Sequence, residues 1–278
     1  MKKEKNLNFS IDRLTIIGDL LNENAFVSIY YDFKHIEEVY LCCHADSSMF
    51  ECSYNIEGLG YVQIDNPTKK IRIDFNPNKI TLRGKHILNY LLQKTKNIHY
   101  SRLDLAIDLF NYNISEYNII DIGNRKSAFF YDRVGKLETI YSGSMKSNKY
   151  IRIYNKAVEQ KLKNMDWWRF EIQLRDVYID KYLSEITDFY KDILVYKYSS
   201  VEQYSIEENA MIEYLLHDIS RINKLSKNSR SKYKKIIRSL EITSLDFFDS
   251  MLNLASEKVL NYLNYLSDYA LYPDKIVF

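Results

Sequence analysis

Four short segments of this 278-residue chain alternate apolar and charged residues, and this alternation constrains the fold more than any other feature. Their sequences are IRIDFNPNK, RLDLAID, YIRIYNK and WRFEIQLR, at residues 71–79, 102–108, 150–156 and 168–175. Side chains alternate between the two faces of a β-strand, so each segment predicts a strand with one apolar and one polar face. Such one-sided strands are typical of an antiparallel sheet whose apolar face is covered by helices.

Helical spacing follows in two other regions. Residues 80–96 place apolar side chains at Ile87, Leu88, Leu91 and Leu92, after an Asn-Pro-Asn turn at residues 76–78. From about residue 207 the chain is helical, with a stripe formed by Met211, Ile212, Leu215, Leu216 and Ile219. Residues 11–27 begin as a strand, and the tyrosine-rich residues 28–61 predict strands and turns. The predicted fold is α+β, a mainly antiparallel sheet with helices on one face followed by a helical C-terminal region, with a boundary at residues 198–203.

Composition excludes several classes of site. The chain has 25 Tyr but 7 Gly, and no glycine-rich phosphate loop occurs in it. Three cysteines, Cys42, Cys43 and Cys52, lack the spacing of a zinc site or a disulfide framework, and the five histidines are scattered. We expect a reducing, cytoplasmic location and no membrane association, because the chain has neither a signal sequence nor an 18-residue apolar stretch.

The polar strand faces allow two interpretations. Arginine alternates with an acid at Arg72 and Asp74, and again at Arg169 and Glu171, which suggests two related halves of the sheet. The face could be a solvated surface held by cross-strand ion pairs, each contributing about 0.2–1 kcal/mol. Alternatively it gathers acids and arginines into one site, where carboxylates on neighbouring strands would hold Mg²⁺ or Mn²⁺ through oxygen ligands.

A tyrosine on the third strand lies between two cations. Tyr154 shares its strand face with Arg152 and Lys156. A phenol with a pKa of about 10 is scarcely ionised at neutral pH, and flanking positive charges favour its phenolate. A phenolate beside arginines and a metal suits attack on a phosphodiester, with a sugar 3′-hydroxyl as the leaving group.

A strongly basic segment occupies residues 221–241. It has eight Lys or Arg residues against one acid, a local charge of +7 in a chain whose net charge is +2. The segment is either a solvated helix face or a contact surface for a phosphate backbone, and the lopsided charge favours the polyanion. Ser229 is the expected cap of a helix over residues 230–240 that could enter a major groove.

Five stretches together resemble one family. They are FNPNK (75–79), SRLDLAID (101–108), GKLETIYSGSMKSNKYIRIYNKAVEQK (135–161), WWRFEIQLRD (167–176) and NSRSKYKKIIRSL (228–240). In this order they are similar to the replication initiation factor (Rep_trans) family of Gram-positive rolling-circle plasmids. The resemblance implies a metal-dependent, topoisomerase-like DNA-nicking endonuclease that binds a double-strand origin and forms a 5′-phosphotyrosine while freeing a 3′-hydroxyl primer.

The resemblance also implies roles for individual residues. Tyr154 matches the nicking tyrosine, assisted by Arg152, Lys156 and Arg169. The predicted ligands of Mg²⁺ or Mn²⁺ are Asp104, Glu171 and Asp108. The basic segment matches the origin-recognition region, with DNA contacts from Lys227, Arg230, Lys232, Lys234, Lys235 and Arg238. Residues 1–198 would form the nickase domain and residues 199–278 the DNA-recognition region. Origin DNA, the nicked single strand, a second copy of the chain and a host helicase are the implied partners.

Two alternatives remain open at this stage. A conjugative relaxase of a mobile element would use the same residues to nick a transfer origin. A non-catalytic DNA-binding regulator would keep the sheet face as a structural feature and would form no covalent adduct with DNA.

Overall fold

The computed structural model describes residues 6–42, 50–112, 114–121, 123, 125–162, 165–177, 179 and 193–271. In these residues the strands are β1 (Asn6–Leu20), β2 (Val39–Leu41), β3 (Cys52–Ile56), β4 (Gly60–Asp65), β5 (Lys70–Phe75), β6 (Thr95–Phe110), β7 (Tyr117–Asp121), β8 (Ser127–Tyr131), β9 (Leu137–Ser142), β10 (Lys149–Asn155), β11 (Trp167–Arg175) and β12 (Ile193–Lys197). The α-helices are α1 (Glu23–Phe33), α2 (Leu82–Gln93), α3 (Lys156–Glu159), α4 (Ile206–His217) and α5 (Lys227–Leu271). The α+β class predicted from the alternation is confirmed.

The chain divides into two compact units. Unit 1 comprises Met1–Phe9, Ala106–Ile172 and Lys181–Ser256, and unit 2 comprises Ser10–Leu105, Gln173–Asp180 and Glu257–Phe278. This division differs from the one predicted at residue 198, since unit 1 includes residues on both sides of that position. The assignment of separate functions to residues 1–198 and 199–278 stays a prediction.

In unit 2 the strands follow the order β2-β3-β4-β5-β1-β6. Antiparallel register pairs Ile16 with Ile73, and Thr15 with Asp74 on the other face. The apolar face is buried together with side chains of α1 and α2, including Ile29 and Leu91. Burial of this face on two helices explains why the strands alternate so cleanly in sequence.

Helix α1 corrects one sequence prediction, since its residues 28–33 lie in the region predicted to form strands and turns. The Asn22 side chain accepts a hydrogen bond from the Ala25 amide and caps the helix. Ala25, Phe26, Ile29 and Phe33 are buried along one side of it. The prediction was wrong because tyrosines at adjacent positions hid this helical spacing.

In unit 1 the strand order is β6-β11-β10-β9-β8, and β9 pairs antiparallel with both β8 and β10. Register places Ile153 opposite Ile140 on one face, and Tyr154 opposite Thr139 on the other. Ile153 and Phe170 are 1% exposed, so the apolar face is fully buried. The polar face is therefore the one on which functional side chains can meet a substrate.

A separate hydrophobic core in unit 1 joins the two-stranded sheet of β7 and β12 to α4 and the start of α5. It includes Leu194, Tyr196, Leu215, Ile236 and Leu240. This confirms the apolar stripe predicted on α4, although Ile219 lies beyond the end of that helix and is 36% exposed.

The start of α5 differs by three residues from the prediction. The helix begins at Lys227, and the Ser226 hydroxyl accepts a hydrogen bond from the Ser229 amide at 3.3 Å. Ser226 therefore takes the capping position expected of Ser229, because the helix starts one turn earlier. Among the described residues, no helix combines the length and apolar character needed to cross a bilayer.

Candidate active site

Tyr154 lies near the end of β10, and its hydroxyl is directed at a carboxylate on the neighbouring strand β11. The Tyr154 hydroxyl donates to Glu171 Oε1 at 2.5 Å. Both side chains are largely buried, with Tyr154 9% exposed as a residue. A phenol that donates to a carboxylate has the arrangement of a nucleophile beside a general base.

Two cations flank this pair. Lys156 Nζ donates to the Tyr154 hydroxyl at 3.4 Å and lies 5.4 Å from the centre of its ring. The Arg152 guanidinium pairs with Glu171 and lies 5.6 Å from the same ring centre. Positive charge at this position can stabilise the negative charge that develops on an attacked phosphodiester.

Lys156 is itself positioned by an acid on α3. Its ammonium pairs with Glu159, whose pKa is affected first by desolvation, which raises it. Hydrogen bonds from Lys156 and Gln160, together with the positive charges of Lys156 and Arg169, outweigh desolvation and place the pKa of Glu159 below its usual value. Glu159 thus stays ionised and keeps Lys156 beside the tyrosine.

Behind Glu171 lies a buried acid on β6. Asp108 accepts hydrogen bonds from Trp167 Nε1 at 2.7 Å and from Arg169 Nε and Nη2 at 2.7 and 2.8 Å. Another nitrogen of Arg169 lies 3.9 Å from Glu171 Oε1. Arg169 therefore connects Asp108 to Glu171 and fixes the carboxylate that holds the tyrosine.

The three predicted metal ligands are arranged differently from the expectation. Asp104 belongs to unit 2, where Arg102 binds both of its oxygens at 2.8 and 2.6 Å. Asp108 and Glu171 belong to unit 1, and Arg169 contacts both of them. Across the described residues, His, Cys, Asp and Glu side chains form no group of three that could hold a metal ion. This donor set does not fit a metal centre, since arginines occupy the carboxylates, and the requirement for Mg²⁺ or Mn²⁺ stays a prediction.

Aromatic side chains lie on the same sheet face as Tyr154, on the strands β9 and β8. Thr139 pairs with Tyr154 on one side and with Phe130 on the other, so Tyr154 and Phe130 project from the same face two strands apart. Phe130 is 53% exposed and packs edge-on against Tyr141, with 5.5 Å between ring centres. Nothing in the sequence pattern indicated this surface, because it depends on the pairing of β8 with β9.

The six predicted DNA contacts on α5 fall into two groups. Arg230 donates to the carbonyls of Asn223 and Leu225, and Lys232 pairs with Glu208, so both stabilise the local fold. The others are exposed, on the side of the helix away from its buried residues: Lys227, Lys234, Lys235 and Arg238. The exposed group is the one able to meet a phosphate backbone.

The sequence predicted that Arg152 and Lys156 lie beside Tyr154, and the structure places them there. Two other contacts were not predicted. Glu171 was assigned to a metal, whereas the structure places it on the tyrosine hydroxyl. Glu159, which holds Lys156, was omitted. The pairing of Glu159 with Lys156 could have been predicted from their spacing of three residues on one short helix. The contact of Glu171 with Tyr154 depends on the adjacency of β10 and β11.

The fold and this site define an α+β protein whose polar sheet face carries a tyrosine on a carboxylate. Comparison with known proteins identifies its family. Residues 98–236 match the family model described as replication initiation factor. A replication initiation protein of Staphylococcus aureus is 31% identical over 259 residues, covering 87% of this chain and 78% of that one. Another from the same organism is 30% identical over 267 residues, covering 89% and 79%.

The chain belongs to the replication initiation factor family. Among solved structures, the rolling circle replication initiator protein from Geobacillus stearothermophilus is similar with a TM-score of 0.43 and 17% sequence identity, covering 66% of this chain and 80% of that one.

Proposed function

We propose that this protein initiates rolling-circle replication by nicking one strand of a double-strand origin. The observation that carries the proposal is the Tyr154 hydroxyl on Glu171, 2.5 Å from its oxygen, with Arg152 and Lys156 beside the ring. A tyrosine held in this way serves as a nucleophile, whereas a structural tyrosine needs neither the base nor the second cation.

The proposed reaction balances in protons and bonds. Glu171 accepts the phenolic proton as the Tyr154 oxygen bonds to phosphorus, and the bond from phosphorus to the 3′-oxygen breaks. The departing oxygen takes a proton from water and becomes the 3′-hydroxyl primer, while the 5′-phosphate stays on Tyr154. Lys156 and Arg152 stabilise the negative charge on the phosphoryl oxygens as the bonds exchange.

The substrate of this step is an unpaired strand. A duplex shields its bases by stacking, whereas exposed Phe130 offers a surface on which an unpaired base can stack close to the nucleophile. The exposed cations of α5 would meanwhile hold the duplex through its phosphates. The proposal therefore assigns duplex binding to α5 and single-strand positioning to the polar face of unit 1.

A tyrosine-to-phenylalanine pair tests the nucleophile. Y154F removes the attacking oxygen, so we expect no nicking of supercoiled origin DNA and no covalent protein–DNA adduct, with origin binding retained. Y141F is the matched control, because Tyr141 is on the same face of the neighbouring strand β9 and contacts Phe130 through its ring. Assays with Mg²⁺, with Mn²⁺ and with a chelator test the metal requirement in the same experiment.

The outcomes separate the alternatives. An adduct in Y154F would overturn the assignment of the nucleophile. DNA binding by the unaltered protein without any adduct would favour a non-catalytic regulator. Nicking of a transfer origin in preference to a replication origin would favour a relaxase with the same chemistry.

Termination of replication requires a second cut in the DNA. Each copy of the chain has one Tyr154 held on Glu171, and after the first cut this tyrosine is bonded to DNA. We therefore propose a homodimer in which the second copy's Tyr154 cleaves the regenerated junction, and strand transfer to the first 3′ end closes the circle. Sedimentation of the purified protein tests the dimer. Co-purification with a host helicase tests the remaining partner that the family resemblance implies.

A further inference from the structure

The polar sheet face of unit 2 carries more positive charge than its acids neutralise. Four arginines lie there, from β1, β5, β6 and β11, with two aspartates between them: Arg13, Arg72, Arg102, Arg175, Asp74 and Asp104. We call this set the arginine cluster. Its formal charge is +2, and it has no tyrosine in the position that Tyr154 takes in unit 1.

The two aspartates are already fully engaged. Arg13 binds both oxygens of Asp74, each at 2.6 Å, and Arg72 adds a contact of 3.3 Å. Arg102 binds both oxygens of Asp104. Because Asp74 takes its two strong bonds from Arg13, the Arg72 guanidinium keeps most of its donors for another acceptor.

Two further observations point to a missing acceptor. Arg72 Nε and Thr15 Oγ1 are buried, and no hydrogen-bond partner for either atom exists within the described part of the chain. Thr15 is 1% exposed and pairs directly with Asp74, so its hydroxyl projects onto the face of the cluster. Buried polar groups are normally satisfied, so these two atoms leave hydrogen-bonding capacity unused next to the exposed part of the Arg72 guanidinium.

The electrostatics agree with this arrangement. Desolvation and the positive charges of Arg102 and Arg72 lower the pKa of Arg175. Asp104 and Asp176 oppose this shift without reversing it. The Arg13 side chain is 43% exposed and the Arg72 side chain 35%, so solvent reaches the cluster from β1 and β5. An anion entering from that side would meet two guanidinium groups.

We propose that the arginine cluster binds a phosphodiester of the DNA backbone, as a second contact remote in sequence from the nicking tyrosine. Guanidinium groups suit this ligand because their forked donors match two phosphate oxygens. The surplus positive charge of the cluster neutralises the negative charge of the phosphodiester. The proposal rests on DNA being the substrate in the proposed function, but it requires no covalent chemistry.

The test measures the salt dependence of binding to a single-stranded oligonucleotide and to duplex DNA. R72Q removes one phosphate contact while Asp74 keeps both bonds from Arg13, so the fold is preserved. We expect the slope of log K against log salt concentration to fall by about 0.7 on a single strand or about 0.9 on a duplex. R72K keeps the charge and should keep the slope, and K85Q, an equal charge change on α2, should match the unaltered protein.

Each outcome decides the proposal. A lower slope for R72Q with unaltered thermal unfolding supports a phosphate contact, and the type of DNA that responds identifies the strand bound. An unchanged slope on both DNAs means that the cluster is a set of structural ion pairs and overturns the proposal. R175Q serves as the second variant if R72Q does not fold. Since binding is measured without nicking, failure of Y154F to abolish nicking would leave this result intact.

Discussion

The polar faces of unit 1 and unit 2 share one sequence pattern and differ in the residue that completes it. In both, an arginine alternates with a second functional residue along a strand: Arg152 with Tyr154 on β10, and Arg72 with Asp74 on β5. In unit 2 the second residue is an acid that arginines neutralise. In unit 1 it is a phenol, and the neighbouring carboxylate Glu171 accepts a hydrogen bond from it. A charged sheet face becomes a candidate catalytic site when a nucleophile replaces one of its ion-pairing acids.

We expect acids in the two units to have different roles. Substitution of one acid in each unit tests this and gives the largest expected effect. E171Q removes the base, so nicking of bound DNA should slow roughly 10²–10⁴-fold with DNA affinity maintained. D104N weakens the ion pair with Arg102, so the free energy of unfolding should fall by roughly 1.5–3 kcal/mol with nicking at saturating DNA unchanged. Single-turnover nicking and urea denaturation measure the two quantities. Loss of nicking in D104N would instead support its predicted role as a metal ligand.

The next largest effect concerns the aromatic surface that unit 1 adds to its polar face. F130A removes a stacking surface, so affinity for single-stranded DNA should fall roughly 5- to 150-fold, the equivalent of about 1–3 kcal/mol per stacked base. F129A is the matched control, because Phe129 is exposed to a similar degree on the opposite face of β8. Fluorescence anisotropy with a labelled oligonucleotide measures both. Equal losses in the two variants would exclude stacking on the polar face.

A smaller effect is expected on α5, and it tests how much this helix contributes to DNA affinity compared with the sheet faces. K234Q removes an exposed charge, and the salt slope for duplex binding should decrease by about 0.9. K232Q should change the slope less, because Lys232 is already paired with Glu208. Filter binding at several salt concentrations provides the slopes. If K232Q has the larger effect, the ion pair opens on DNA and the division of α5 into two groups is incorrect.

The smallest effect concerns pH. The pKa of Glu159 is lowered in the folded protein, so its pairing with Lys156 stabilises the fold above the unfolded pKa and is lost as pH falls through the folded one. E159Q should therefore lower the free energy of unfolding by roughly a few tenths of a kcal/mol near neutral pH, since the Glu159 side chain is half-exposed. The difference should shrink as pH falls below the usual pKa of a glutamate and through the lowered pKa of Glu159. Chemical denaturation of both proteins across this range measures it. A difference that persists in acid would mean that packing, and not charge, is lost.

Much of this protein was determined by the sequence itself. Alternation along residues 102–108 and 150–156 predicted strands, because a side-chain period of two admits no other regular structure with one buried face. The same alternation placed Arg152, Tyr154 and Lys156 together, since residues two apart on a strand share a face. Helix α1 was not predicted, because its tyrosines made the apolar spacing ambiguous. Its capping residue Asn22 is a sequence signal for the start of this helix.

Tertiary structure decided which neighbours these side chains meet. Glu171 and Tyr154 are 17 residues apart, and only the adjacency of β10 and β11 places the carboxylate on the phenol. Packing likewise decided that Arg230 and Lys232 stabilise the turn and helix around them while Lys234 faces solvent. The physical reason is that strand phase and helical periodicity are local properties of the chain. Hydrogen bonds and ion pairs between distant residues depend on strand order and register, which the burial of the apolar faces sets.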